Sequence, residues 1–149
     1  MNTTTRFATQ SVADPEIFYR EAGPADGPVI LLLHGYPSSS HMFRDLIWRL
    51  ANRYRVIAPD LPGYGSTRAP PRGSYDYTFD NLANAMEGFT EALGLDRYAI
   101  YVFDYGAPTG FRLAARHPER YEIVGLSARS DVDALLVQIR AHRPEVVSV

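Results

Sequence analysis

The stretch YAIYVFDYGAPTGFRLAA, Tyr98 to Ala115, runs a strand straight into a helix and places an aspartate at the junction. From Tyr98 to Phe103 every residue except Ala99 is aromatic or β-branched, the composition of a central strand. After Asp104 come the small residues Gly106, Ala107 and Gly110, within a helical pattern expected from about Pro108 to His117 and ended by Pro118. A carboxylate at such a point is costly to bury unless donors hold it or chemistry uses it.

The segments upstream repeat this alternation. IFYREA (Ile17 to Ala22) suits a strand, and the turn GPADGP leads from it into PVILLLHG, an apolar run typical of a strand covered on both faces. Phe43, Leu46, Ile47, Leu50, Ala51 and Tyr54 then fall on one helical face, with Ser38 to Ser40 as candidate N-caps. RVIAPD (Arg55 to Asp60) is another short apolar strand, closed by DLPGYGST. A proline-rich loop from Arg68 to Tyr77 precedes a second helix with Phe79, Leu82, Ala83, Met86 and Phe89 inward and Gly94 as its stop. Strands alternating with amphipathic helices imply an α/β fold, a mostly parallel sheet with helices on both faces. Beyond Arg120 the pattern weakens. Ile123 to Leu126 reads as a strand, and Val132, Leu135, Leu136 and Ile139 form a short amphipathic face ended by Pro144.

At 149 residues, 46% hydrophobic and 21% charged, the chain has the length and composition of one soluble globular domain. A net charge of −2 gives no reason to expect nucleic acid or an anionic membrane as partner. Without cysteine there are no disulfides, thiolate metal sites or thiol nucleophiles. The N-terminus lacks the basic start and apolar run of a signal peptide, and Val29 to Leu33 is too short to cross a bilayer. A cytoplasmic location is expected, with a small-molecule substrate, no cofactor and no metal; composition does not set the oligomeric state. All 18 aromatic residues (7 Phe, 1 Trp, 10 Tyr) lie at or before Tyr121, which marks the remaining tail as a different design.

In an open parallel sheet, ligands bind beyond the carboxyl ends of the strands. Three segments fall there: His34-Gly35-Tyr36-Pro37, Asp60 to Ser66, and Val102-Phe103-Asp104-Tyr105-Gly106-Ala107. Together, in this order and at this spacing, they resemble the first half of an α/β-hydrolase of the branch containing epoxide hydrolases and haloalkane dehalogenases. The resemblance covers about residues 15 to 121, and the second motif lacks the family's spacing residue before Ser66. It implies Asp104 as a nucleophile on a sharp strand-to-helix elbow. The backbone N–H groups of Tyr36 and Tyr105 are the implied oxyanion hole, and Tyr36, Pro37 and Tyr105 the implied substrate contacts.

The choice of aspartate directs the chemistry. Serine needs a base and suits acyl carbonyls. A carboxylate, ionised at neutral pH, attacks an sp³ carbon bearing a leaving group and forms an alkyl-enzyme ester. That points to opening an epoxide or displacing a halide. Resembling dehalogenases hold the halide with a tryptophan after the nucleophile and often an asparagine after the His-Gly pair, where this chain has Tyr105 and Tyr36. HGYP fits the epoxide-hydrolase pattern better, although no lid that would supply acidic tyrosines is found. The alternative readings are a haloalkane dehalogenase, a non-catalytic remnant or binding module, and Asp104 as a mere helix cap. His34 and Asp60 read as loop-shaping groups, His41 as a packing or surface residue, and His117 as a helix-end residue. Arg112, Arg116 and Arg120 read as a solvated helix face.

The resemblance also implies a lid, an orienting acid and a late histidine after the nucleophile. Here only His117 and His142 follow Asp104, and neither His142 nor the candidate acids Asp131, Asp133 and Glu145 has suitable flanks. The expected organisation is a partial hydrolase core over 1–121, a tail of other origin over 122–149, and a truncated product without turnover.

Overall fold

VILLL, strand β3 (Val29–Leu33), lies between β4 (Arg55–Pro59) and β5 (Tyr98–Val102) and pairs in parallel with both. The computed structural model that shows this describes residues 4–13, 15–119, 121, 125–127, 136–137, 140–141, 143 and 145–148. Beyond β4 the sheet continues through β2 (Glu16–Ala22), antiparallel to β4, and β1 (Arg6–Ser11), antiparallel to β2. The order is β1-β2-β4-β3-β5, and only β2 runs against the other four. The mostly parallel α/β sheet expected from sequence is present.

Side chains alternate across this sheet with period two. Leu31, Leu33 and Ile57 join Ile17 and Tyr19 on one face, packed against Met86 and Phe89 of α2 (Phe79–Ala92) and Leu113 of α3 (Gly106–Arg116). On the other face, Leu32, Val56, Ala58 and Ala22 meet Phe43, Ile47 and Ala51, from a 3-10 turn at Ser40–Phe43, from α1 (Arg44–Leu50) and just beyond it. Burying each large apolar side chain stabilises the fold by about 1.5–3 kcal/mol, so a strand walled on both faces needs the continuous apolar run of β3.

Local chemistry sets the ends. Ser39 Oγ accepts the His41 N–H at 3.3 Å, and Thr78 Oγ1 accepts that of Asn81 at 3.2 Å. Gly94, at φ +66°, closes α2 in the left-handed conformation that glycine adopts without penalty. The first helix stops at Leu50, short of Tyr54, because the Arg53 and Tyr54 N–H groups both turn back to the Leu50 carbonyl. The third begins at Gly106 instead of Pro108, since proline in a first turn forfeits only an N–H that has no helical partner. β1 was not legible: its RFATQS is mostly exposed and has no apolar alternation, and backbone pairing from Arg6↔Glu21 to Ser11↔Glu16 holds it. The expected solvated arginine face is corrected at two positions. Arg112 pairs with Asp80 at 3.0 Å and Arg116 with Glu87 at 2.9 Å, joining α3 to α2.

The chain divides into units Met1–Arg116 and His117–Val149. In the second, β6 (Gly125–Ser127) pairs in parallel with β7 (Val146–Ser148). β6 overlaps the strand expected at Ile123 to Leu126, whose first two residues lie outside the described residues. Leu136 is helical, while Val132, Leu135 and Ile139 of its expected face lie outside them, as do Arg120, Asp131, Asp133, His142 and Pro144.

Candidate active site

The elbow begins where Phe103 N–H donates to the Leu33 carbonyl at 3.2 Å and the chain then reverses. Gly106 and Ala107 donate back to the carbonyls of Phe103 and Asp104 at 2.9 and 2.8 Å. Asp104 itself sits at φ +49°, a left-handed conformation that costs an L-residue about 1–2 kcal/mol, though aspartate is among the more tolerant. Two close approaches hold it there. A Cβ on Gly106 would strike the Leu33 carbonyl, and one on Gly35 would lie 2.6 Å from Asp104 Oδ1 and 2.8 Å from its Cγ. Only glycines allow the elbow to close against the end of β3.

The exposed Asp104 carboxylate receives two backbone donors on one oxygen. Oδ1 accepts the Tyr36 N–H at 2.8 Å and the Tyr105 N–H at 2.7 Å, while Oδ2 accepts no hydrogen bond from a described residue. The loop after β3 and the first turn of α3 thus aim the two expected donors at a single point. Pro37 follows Tyr36 through a cis peptide and is exposed.

Around this point runs a row of rings. Phe79 meets Tyr105 edge-on at 5.1 Å between centroids, Tyr105 lies 5.7 Å from Tyr36, Tyr36 lies 6.4 Å from Tyr64, and Tyr64 meets His34 at 5.5 Å. Tyr64 and Phe79 were not among the residues expected here. The signal for Tyr64 was in DLPGYGST: it lies between Gly63 at φ +88° and Gly65 at φ +55°, a tight turn that brings one large side chain back over the strand ends. Burial, and then Tyr105, Tyr36 and Asp104, hold its phenol above the usual value.

His34, fully buried, uses both ring nitrogens. Nε2 accepts the Leu61 N–H at 2.9 Å and Nδ1 donates to the Gly35 carbonyl at 2.9 Å, which defines a neutral imidazole bridging two loops. Burial holds its pKa below the ordinary value, against the smaller opposing effects of the Gly35 bond and Asp60. Asp60 is also internal, and its oxygens accept the N–H groups of Ser40 and Ser66 at 2.7 and 2.8 Å. His41 lies exposed in the 3-10 turn, and His117 contacts Glu119 at 3.5 Å.

Strand, elbow, paired donors and glycine contacts occur together in residues 28–134, which match the family profile described as alpha/beta hydrolase fold. The chain belongs to the α/β-hydrolase fold family. It is 48% identical over 120 residues to an uncharacterized hydrolase of Saccharomyces cerevisiae, covering 80% of this chain and 41% of the yeast protein. It is 40% identical over 116 residues to a haloalkane dehalogenase of Mesorhizobium japonicum, covering 78% and 36%. Among solved structures, a mutant epoxide hydrolase of Vigna radiata superposes with a TM-score of 0.74 at 32% identity, covering 84% of this chain and 39% of that one. The chain thus spans about two fifths of the length of the relatives it matches.

An open hollow of about 400 Å³ lies elsewhere, between the β1–β2 turn and the proline-rich loop, lined by residues including Pro15, Glu16, Arg68 and Pro70. Among the described residues no group of three or more His, Cys, Asp or Glu could hold a metal ion. None of the helices there is long and apolar enough to cross a membrane.

Proposed function

We propose that the chain is a hydrolase-family protein that opens an epoxide through Asp104, forming an alkyl-enzyme ester. The observation that carries the reading is the asymmetry of the carboxylate: Oδ1 rests on the N–H groups of Tyr36 and Tyr105, and Oδ2 accepts no hydrogen bond from a described residue, which leaves it to attack. Attack through Oδ2 makes Oδ1 the ester carbonyl oxygen, already seated where negative charge would develop if water added to that ester. Tyr36 and Tyr105, with Pro37 beside them, would line the approach of the substrate. Tyr36 and Tyr105 stand where resembling dehalogenases hold the halide with asparagine and tryptophan, which favours an epoxide over a halide.

Releasing the ester needs a general base. Among the described residues no histidine is hydrogen-bonded to Asp104, and both nitrogens of His34 are engaged. The chain as it stands is therefore proposed to stop at the ester. The 40% identity to a haloalkane dehalogenase favours a second reading, displacement of halide by the same Asp104.

Intact mass spectrometry after incubation with an epoxide tests both steps. The expected result is one added substrate mass, persisting without diol formation and abolished by Asp104→Asn. Steady diol formation would overturn the stalled ester; a bromoalkane adduct without an epoxide adduct would favour the dehalogenase. Absence of any adduct would leave a binding module.

A further inference from the structure

The tyrosines of this chain differ in what their hydroxyls do. In the proline-rich loop the Tyr75 hydroxyl donates to the Asn81 carbonyl at 3.0 Å and the Tyr77 hydroxyl to the Pro70 carbonyl at 2.7 Å; on β5, that of Tyr98 reaches Thr90 Oγ1 at 3.3 Å. Around Asp104 the hydroxyls of Tyr36, Tyr64 and Tyr105 make no hydrogen bond to a described residue. Of these three, Tyr36 and Tyr105 are exposed, whereas Tyr64 is half-buried, packed edge-on against His34 and Tyr36 and against the core. Its position is fixed by the two left-handed glycines and by its own N–H, which donates to the Leu61 carbonyl at 2.9 Å. The Tyr64 phenol is therefore held in place beside Tyr36, close enough to Asp104 to feel its charge, with its hydroxyl open to the solvent side and uncommitted to any described residue.

We propose that Tyr64 is the acid of the ring-opening step, supplied by the hydrolase core itself. The inference rests on the epoxide reading of Asp104. As Oδ2 forms its bond to the substrate carbon, the carbon–oxygen bond of the ring breaks and its electron pair passes to the ring oxygen. That oxygen takes the Tyr64 proton and becomes a hydroxyl, and the tyrosinate regains a proton from water. A phenol is protonated at neutral pH, and although burial and then Tyr105, Tyr36 and Asp104 make this one a weaker acid than usual, a developing alkoxide is far more basic than a tyrosinate.

The test compares single-turnover alkylation of the full chain by styrene oxide and by n-butyl bromide, followed by intact mass. Tyr64→Phe keeps the ring and its packing but removes the proton. The expected result is a slowing of roughly a hundredfold with the epoxide and a bromide rate within about threefold of wild type, since bromide leaves without a proton. In the unsubstituted chain, deuterium oxide should slow alkylation by the epoxide and leave that by the bromide unchanged, a readout that does not depend on the variant folding. Equal epoxide rates in the variant and wild type, equal slowing with both electrophiles, or no solvent isotope effect would overturn the role of Tyr64 while leaving Asp104 as nucleophile. No adduct with either compound in wild type would overturn both.

Discussion

Asp60 and Asp104 end the two strands that flank β3, and each accepts two backbone N–H groups, yet the structure uses them in opposite ways. Asp60 is only 2% exposed and divides its donors, Ser40 on one oxygen and Ser66 on the other. Its main chain is equally committed, since its carbonyl accepts the Thr67 hydroxyl and its N–H donates to Phe18. Asp104 is exposed, sits at a positive φ, and gathers both donors on one oxygen. A carboxylate satisfied on both oxygens is a structural brace. One held through a single oxygen, on a left-handed backbone, keeps its second oxygen clear of hydrogen bonds from the described residues, which is the asymmetry the proposed reaction needs.

The sharpest way to break this comparison is the same substitution at both sites. Asp60→Asn replaces an acceptor with an amide donor facing a buried N–H, and should cost about 2–3 kcal/mol in urea unfolding. Asp104→Asn keeps the left-handed conformation and an oxygen for the Tyr36 and Tyr105 donors, so stability should move by less than about 0.5 kcal/mol. Equal losses at the two positions would erase the distinction.

A smaller effect is expected from Gly35→Ala. The new methyl group overlaps the Asp104 carboxylate and must push it off its two donors. Alkylation by an epoxide should fall more than about tenfold, or about 1.4 kcal/mol, with the fold retained. An unchanged rate would show that the seating of Oδ1 is dispensable.

The smallest concerns His34, which bridges the loops after β3 and β4. Burial lowers its folded pKa below the ordinary 6.5, so the unfolded chain takes up that proton first as pH falls. Its contribution to stability is whole above about pH 6.5 and is lost as pH falls from there through the lower folded value. Urea melts in that range should show this slope in the unsubstituted chain and a flatter one in His34→Asn. Equal slopes would remove His34 from the brace.

Much of the fold was legible because burial on both faces forces a local signature. β3 to β5 had to be short continuous apolar runs, and α2 had to carry a periodic face. What escaped were elements held by backbone or by distant partners. β1 has only its hydrogen-bonded pairing, and the ion pairs of Arg112 and Arg116 depend on carboxylates 32 and 29 residues away. At the candidate site the motifs pointed to Asp104, Tyr36 and Tyr105, while the glycines flanking Tyr64 marked a tight turn without saying which segment it would meet. The place of Tyr64 beside Tyr36 and Asp104 comes from the return of the β4 loop over the end of β3, a contact between segments far apart in the chain.

The sequence by itself determined the alternating α/β architecture and the position of a strand-to-helix aspartate, because apolar periodicity and glycine spacing are local properties of the chain. It did not determine how the two strand-end carboxylates differ. Only the tertiary structure decided that, because the number and direction of donors on each oxygen depend on which loops converge there. For Asp104 the deciding approach is that of Gly35 and Tyr36, brought against the elbow by the parallel pairing of β3 with β5.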